Sequence, residues 1–227
     1  MNGGPQTRIT PQALDAPFPI YAAEISSLLP SGWQAEIQAV VSLHGFHSKL
    51  DGGSVTSRDG VFQAQESSQI TVVDGRAAAA GVPWLLDVYR GPILDMANAL
   101  GLGRYRPSQA IHSAVNINCQ RDGERYEWHV DSNPLTGLLF ASTLDAGQGG
   151  QLVFREDPLA SGSSEDWELR IRPRLGVLHL YDARAVAHTV EPVLGDRMRL
   201  SIPMNFYFAN DSEHRPGDLD DYLYRTS

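Results

Sequence analysis

Residues 125–144 read RYEWHVDSNPLTGLLFASTL. Two short runs rich in aromatic and aliphatic residues, RYEWH at 125–129 and TGLLFASTL at 136–144, flank the turn-prone Asp131, Ser132, Asn133 and Pro134. His129 and Asp131 stand two positions apart at the end of the first run. Residues i and i+2 of an extended backbone leave the same face, so this imidazole and this carboxylate can meet one ion at a strand end. A lone His-x-Asp arises by chance in many chains, and its neighbours decide its worth.

Working outward, the chain from about residue 110 reads as short extended runs separated by Gly- and Asp-rich turns. Beside the two already quoted are 110–120 (AIHSAVNINCQ), 150–154 (GQLVF), 168–172 (ELRIR), 175–181 (LGVLHLY), 186–191 (VAHTVE) and 199–208 (RLSIPMNFYF). Eight such strands fit a mainly β jelly roll, a double-stranded β-helix core. Toward the N-terminus, 21–29 and 92–100 have helical spacing, the second with Pro92 at its start and Gly101 past its end. Residues 37–43 and 68–73 read as extended, 47–60 as a loop, and 158–165 as a mobile loop within the core. The expected organisation is one structural domain: an N-terminal helical and extended support region at 1–106, the core at 107–210 and a polar tail at 211–227. Asp218, Asp220 and Asp221 make that tail a solvated acidic end.

The 227 residues are 42% hydrophobic and 20% charged, enough for one domain with a sizeable core. A formal net charge of -9 argues against nucleic acid or an anionic membrane as the main partner, because phosphate binding needs a basic footprint. Cys119 is the single cysteine, which fits a reducing cytosol and a small core residue. No run approaches the roughly 18 apolar residues of a membrane span, and the first residues lack the apolar stretch of a secretory signal. A cytoplasmic location is expected, with a homodimer left open.

Across several turns from His129 and Asp131 comes His188, on a strand that a double-sheet fold can bring opposite. Arg197 and Arg199 follow. Two imidazoles and one carboxylate form the ligand set of mononuclear non-haem Fe(II) oxygenases, which leave further positions open for cosubstrate and oxygen. An arginine soon after the second histidine adds a cation for the far carboxylate of a keto acid. The four positions together carry far more than any one.

The stretch from Arg125 to Phe208 resembles the Fe(II)/2-oxoglutarate-dependent dioxygenases, particularly their small prolyl-hydroxylase-like branch. Three pieces carry the resemblance: Trp128 to Asp131, the glycine-led strand from Gly149 to Phe154, and the closing segment from Pro173 through His188 to Arg197. The first hundred residues match nothing nameable. The resemblance implies a distorted jelly roll with Fe(II) on His129, Asp131 and His188, and 2-oxoglutarate and O2 as cosubstrates. It implies oxidation of a substrate C–H bond with release of succinate and carbon dioxide. For the keto-acid carboxylate, Arg197 has a common family spacing from His188, whereas Arg199 with Ser201 resembles an Arg-x-Ser pair. Arg199 is preferred, although alternation along a strand places Arg197, Arg199 and Ser201 on one face. Asn116, Asn118 and Gln120 share a face, and one or two of them are candidate donors to the same ligand, with Asn116 and Asn118 preferred. Asp131 favours hydroxylation, with desaturation or ring formation as alternatives, over halogenation, for which relatives replace this carboxylate by a small residue.

The expected substrate is a small molecule, such as a free amino acid or natural-product intermediate. Ser132, Asn133 and Thr136 are candidates to orient it, with Trp84, Tyr89 and Tyr105 as further pocket residues. His179 and His112 read as core or supporting residues. His44, His47 and His214 read as solvated, and Arg104, Arg106, Arg125 and Arg155 as surface charges. Two other classes remain: a cupin-like metal enzyme that uses no keto acid, and a non-catalytic jelly-roll binding protein.

Overall fold

The structure, a computed structural model, describes residues 9–50, 68–156 and 167–215. In chain order come strands β1 (Gln12–Ala13) and β2 (Ile20–Glu24), helix α1 (Trp33–His44) and strands β3 (Phe46–Leu50) and β4 (Ser68–Val73). Three short helices follow, α2 (Gly75–Gly81), α3 (Trp84–Val88) and α4 (Leu94–Ala99), then β5 (Tyr105–Pro107) and a helical turn α5 (Ile111–Ala114). The remainder is strand: β6 (Ile117–Gln120), β7 (Tyr126–His129), β8 (Leu135–Phe140), β9 (Leu152–Glu156), β10 (Glu168–Ile171), β11 (Val177–Tyr181), β12 (Val186–Val190) and β13 (Arg199–Phe208).

Each of the eight expected runs overlaps one of the strands β6–β13, and these strands form the jelly roll. A small sheet has the order β10-β9-β12-β7, and the heart of the large sheet is β11-β8-β13-β6. The N-terminal strands widen the large sheet at both edges. β2 pairs with β11 and carries β1, while β4 pairs with β6 and carries β3. Every pairing between these strands is antiparallel, as hairpin and Greek-key connections require.

Alternation along β13 divides the interior in two. Leu200, Ile202, Met204 and Phe206 join the cluster in which Trp33, Ile37, Leu85 and Ile93 of the helical side are buried. The intervening residues face the small sheet. There Leu138, Phe140 and Tyr181 of the large sheet meet Leu152, Phe154, Val186 and Val190 of the small one. Each large apolar side chain fully buried in these layers contributes roughly 1.5–3 kcal/mol. The helices thus back the large sheet, and its opposite face packs toward the small sheet.

Four expectations are corrected. Residues 37–43 lie in α1, not in a strand. Trp33, Ile37, Val40 and Val41 are its buried residues, a spacing that makes one helical stripe. β-branching costs a helix well under about 1 kcal/mol per residue, less than burying that stripe returns. Residues 21–29 are not a helix: β2 and a 3-10 turn at Ser26–Leu28 occupy them, because the edge of β11 offers an unpaired ladder. Residues 47–50 are strand β3 rather than loop. The run 110–120 begins as helical turn α5, turns extended at Val115 and becomes strand β6 at Ile117. β6 pairs with β13 over Arg199 to Ser201, and beyond it the same register keeps only the Asn116 N–H bond to Pro203 O at 3.3 Å and a bridge between Val115 and Met204, since Pro203 has no N–H to complete the ladder. The expectations for 51–60, 158–165 and the acidic tail lie outside the described residues.

Candidate metal centre

His129 ends β7 and His188 lies in the middle of β12, and the two are directly opposite in the ladder between these strands. Asp131 follows two residues later, its backbone N–H donating to Ala183 O at 3.1 Å. The Nε2 of His129 is 3.5 Å from Asp131 Oδ1, and the Nε2 of His188 is 3.7 Å from Oδ2. One ligand atom from each residue falls within 4.8 Å of the others. Among the described residues this is the one group of three or more His, Cys, Asp and Glu side chains so placed. His129 and Asp131 keep 15% and 20% side-chain exposure against 4% for His188, so the group opens to solvent on one side only.

A β-bulge shapes this site. His188 pairs with His129 and Val190 with Tyr126, so two residues of β12 span three of β7. Residues 126 and 129 of a regular strand would leave opposite faces, but here the rings lie together with centroids 4.8 Å apart. Supporting bonds then fix the ligands. His129 Nδ1 donates to Glu127 O at 2.9 Å, which turns the Nε2 lone pair toward the centre. Thr136 Oγ1 donates to Asp131 Oδ2 at 2.8 Å, and Asn133 Nδ2 donates to Thr136 Oγ1 at 2.8 Å and to Leu135 O at 2.8 Å. Asn133 and Thr136 are therefore engaged in holding Asp131.

The electrostatics suit ligation. Burial would raise Asp131, but His188, His129 and the Thr136 hydroxyl outweigh it and hold the carboxyl down at about 2. Burial, with His129 adding to it, lowers His188 to about 4, which leaves it neutral at physiological pH. His129 is raised: burial opposes its charge, and the hydrogen bond and charge of Asp131 overcome that. An ionised carboxylate beside neutral imidazole is the protonation state a metal requires. Two imidazoles and a carboxylate form a mixed N/O set that suits Fe(II), so the donor chemistry fits that ion.

Deeper between the sheets lies Arg199, 2% exposed at the start of β13. Its Nε donates to Gly150 O at 2.9 Å, and its Nη1 to Gln120 Oε1 at 2.8 Å and Ser201 Oγ at 2.7 Å. Its Nη2 is buried with no hydrogen-bond partner, and no carboxylate among the described residues pairs with the guanidinium. Burial pushes Arg199 down to about 9, still cationic at neutral pH, and its guanidinium carbon lies 5.2 Å from the Phe140 ring centroid. A buried polar donor left unpaired costs about 1–3 kcal/mol, more when charged, so this corner is built to receive an anion. Gly150 makes the close approach possible. Its φ is +64°, and a Cβ there would sit 3.3 Å from Arg199 Cδ and 2.5 Å from Leu144 Cδ1.

Ser201 shares the interior face with Arg199, and Asn118 is opposite Ser201 across the ladder. Asn116 Nδ2 donates to Asn118 Oδ1 at 2.9 Å, so the two amides stand side by side, half-buried. Arg197 is exposed in the turn ahead of β13, away from this corner. Trp84, Tyr89 and Tyr105 pack in the helix-side cluster behind the large sheet, which removes them from the pocket. Tyr89 reaches the carbonyl of Asn205 with its hydroxyl, and Tyr105 stacks on Phe208. Sequence reading passed over Tyr181. Its ring lies 5.6 Å from that of His188, centroid to centroid, and its buried phenol feels the charges of both Asp131 and Arg199. Burial raises it well above 10 and keeps it a neutral hydrogen-bonding group. The only trace of it in the sequence is an inward position in the strand before His188.

No protein-family model and no curated protein matches the chain. Solved structures do. An oxidoreductase of the 2OG-Fe(II) oxygenase family from Burkholderia pseudomallei is 12% identical, covering 87% of this chain and 89% of its own, with a TM-score of 0.61. The carbocyclase SnoK from nogalamycin biosynthesis, a non-haem α-ketoglutarate-dependent enzyme, is 16% identical over 92% of this chain and 86% of its own, with a TM-score of 0.63. The epimerase SnoN, in complex with Fe3+, α-ketoglutarate and nogalamycin RO, is 15% identical over 84% and 79%, with a TM-score of 0.57. The chain has the fold of the 2-oxoglutarate/Fe(II) oxygenases, the jelly roll that the resemblance implied. No helix of the described residues is long and apolar enough to cross a membrane.

Proposed function

We propose that the chain is an Fe(II)- and 2-oxoglutarate-dependent oxygenase. Iron would be held by His129, Asp131 and His188, and the far carboxylate of 2-oxoglutarate by Arg199 and Ser201. The observation that carries this reading is the buried, unpaired Nη2 of Arg199, whose guanidinium packs on the same inter-sheet aromatic cluster as His188. A cupin-like metal enzyme without a keto acid has no use for such a cation. Bound iron supplies oxygen activation coupled to conversion of the keto acid to succinate and carbon dioxide.

The chain's own residues do the rest. Thr136 and Asn133 keep the Asp131 carboxylate turned inward, and the Glu127 carbonyl keeps His129 in one tautomer. Tyr181, Phe154 and the Tyr126 ring surround the imidazoles and restrict water. Asn118 and Asn116, beside Ser201, are further donors along the path between the carboxylate corner and the metal ligands. With Asp131 present, hydroxylation of an unactivated C–H bond in a small molecule is the favoured reaction. Net charge -9 and the polar strip from Asn116 to Ser201 support a small polar substrate over a nucleic acid. The structure of SnoN in complex with nogalamycin RO supports a small-molecule substrate.

The test is an anaerobic absorption titration of metal-free protein with Fe(II), then with 2-oxoglutarate. A visible charge-transfer band that saturates with the keto acid is the expected result. Iron binding without such a band sinks the keto-acid reading, and absence of iron binding sinks the enzyme.

A further inference from the structure

Resting on that reading, we propose that Gln120 is a second binding residue of the anion corner. Its Oε1 sets the orientation of the Arg199 guanidinium, and its Nε2 joins Arg199 Nη2 in receiving one carboxylate of the ligand. Gln120 is directly opposite Arg199 in the β6–β13 ladder and is 1% exposed. Its Oε1 accepts from Arg199 Nη1 at 2.8 Å, while its Nε2 is buried with no hydrogen-bond partner.

The orientation of this amide follows from chemistry. A guanidinium only donates, so the atom facing Arg199 has to be the oxygen, and the NH2 points away from it. Two buried donors, one cationic and one neutral, are therefore left open on adjacent strands. Arg199 Nε and Nη1 are already taken by Gly150 O, Gln120 Oε1 and Ser201 Oγ. The usual two-pronged arginine–carboxylate pairing has lost most of its donors, and the amide supplies the second prong. Glutamate at this position would close an ion pair with Arg199 and fill the corner with the protein's own anion. Glutamine leaves the positive charge uncompensated for a ligand and still satisfies Nη1.

The test compares wild type, Gln120→Leu and Gln120→Glu, each loaded anaerobically with Fe(II). The readouts are the affinity for 2-oxoglutarate, from calorimetry and the visible band, and that for 2-oxopentanoate, which lacks the far carboxylate. Gln120→Leu should bind 2-oxoglutarate about 10-fold or more weakly, the loss of one hydrogen bond to a charged group, with 2-oxopentanoate affinity and iron affinity unchanged. Gln120→Glu should lose 2-oxoglutarate by about 100-fold or more at pH 7.5, and part of the loss should reverse at low pH as the new carboxyl is protonated. Equal losses for both keto acids would mean a merely structural role and overturn the proposal. Unchanged 2-oxoglutarate affinity in both variants would do the same. Failure of the wild type to bind 2-oxoglutarate would overturn the oxygenase reading itself, and this one with it.

Discussion

His129 and His188 face each other directly across the β7–β12 ladder, their ring centroids 4.1 Å apart at an interplanar angle of 52°. Two imidazoles so close cannot both carry a proton without strong repulsion, and Asp131 between them can neutralise only one. A divalent ion resolves this by replacing the proton and drawing on both nitrogens and the carboxylate together. The site is formed in advance by backbone pairing, so little ordering is left for metal binding to drive.

Metal affinity should therefore depend on the ligands and on their support to different degrees. His188→Ala and Asp131→Ala are expected to abolish Fe(II) binding. Thr136→Val, which removes the hydroxyl bonded to Asp131 Oδ2, should weaken it about 10–100-fold. In wild type, metal at about 100 times its Kd should stabilise the fold by about 2.7 kcal/mol, reversed by chelator. Calorimetric titration and thermal melts check both; equal affinity in Thr136→Val and wild type would remove the supporting role.

The two arginines separate cleanly. Arg199→Met keeps the length of the side chain but removes the charge and every donor. It should weaken 2-oxoglutarate binding by at least about 100-fold, since charge-assisted bonds are worth about 1.5–3 kcal/mol each. Arg197→Ala, at an exposed turn, should leave the affinity within about twofold of wild type, the usual range for exposed substitutions. The charge-transfer titration reads both, and a large loss in Arg197→Ala would reassign the keto-acid cation.

Gly150→Ala links stability to the anion corner. The residue adopts φ +64°, and an added Cβ would press on Leu144 and come to 3.3 Å from Arg199 Cδ. The left-handed backbone costs a non-glycine residue about 1–2 kcal/mol, and the displaced Leu144 adds to it. We expect a lower denaturant midpoint together with weaker 2-oxoglutarate affinity, because the Gly150 carbonyl also holds Arg199 Nε. A stability loss with unchanged keto-acid affinity would show that Arg199 keeps its place without that contact.

His179 predicts an acid-sensitive step that does not involve the metal ligands themselves. It is 5% exposed, its Nδ1 lacks a hydrogen-bond partner and its ring packs on the Phe140 edge. Burial lowers it from 6.5 to about 4. The unfolded chain then binds the proton more readily than the folded one, so the contribution to stability is present above pH 6.5 and is lost as pH falls toward 4. The full loss is of order 3 kcal/mol. Urea unfolding at pH 7.5 and 4.5 should show a markedly smaller pH dependence in His179→Leu than in wild type. An equal drop in both would assign the acid sensitivity elsewhere.

The C-terminal half declared itself in the sequence because its signals are local. Alternation and Gly- and Asp-rich turns mark each strand of β6–β13, and the two-residue spacing of His129 and Asp131 puts both on one side of a strand end. The distant His188 and the pair of arginines belonged to the same pattern. Other features depend on which strand lies beside which. Residues 21–24 became strand because β11 had a free edge, and 37–43 became helix because its apolar stripe found the back of the large sheet. The β7 bulge brings Tyr126 and His129 to one face, against the alternation that a sequence implies. Arg199 differs from Arg197 by burial alone, a property of the finished cavity. The face shared by Asn116, Asn118 and Gln120 did not say which of them meets Arg199, which pairing with β13 decided, and Tyr181 came to the site through sheet-on-sheet packing, which leaves no motif. Short-range periodicity is written residue by residue, so the sequence determined the strands and the metal-ligand set. Partner choice between distant strands, and the solvent each side chain loses through it, were decided only by the tertiary structure.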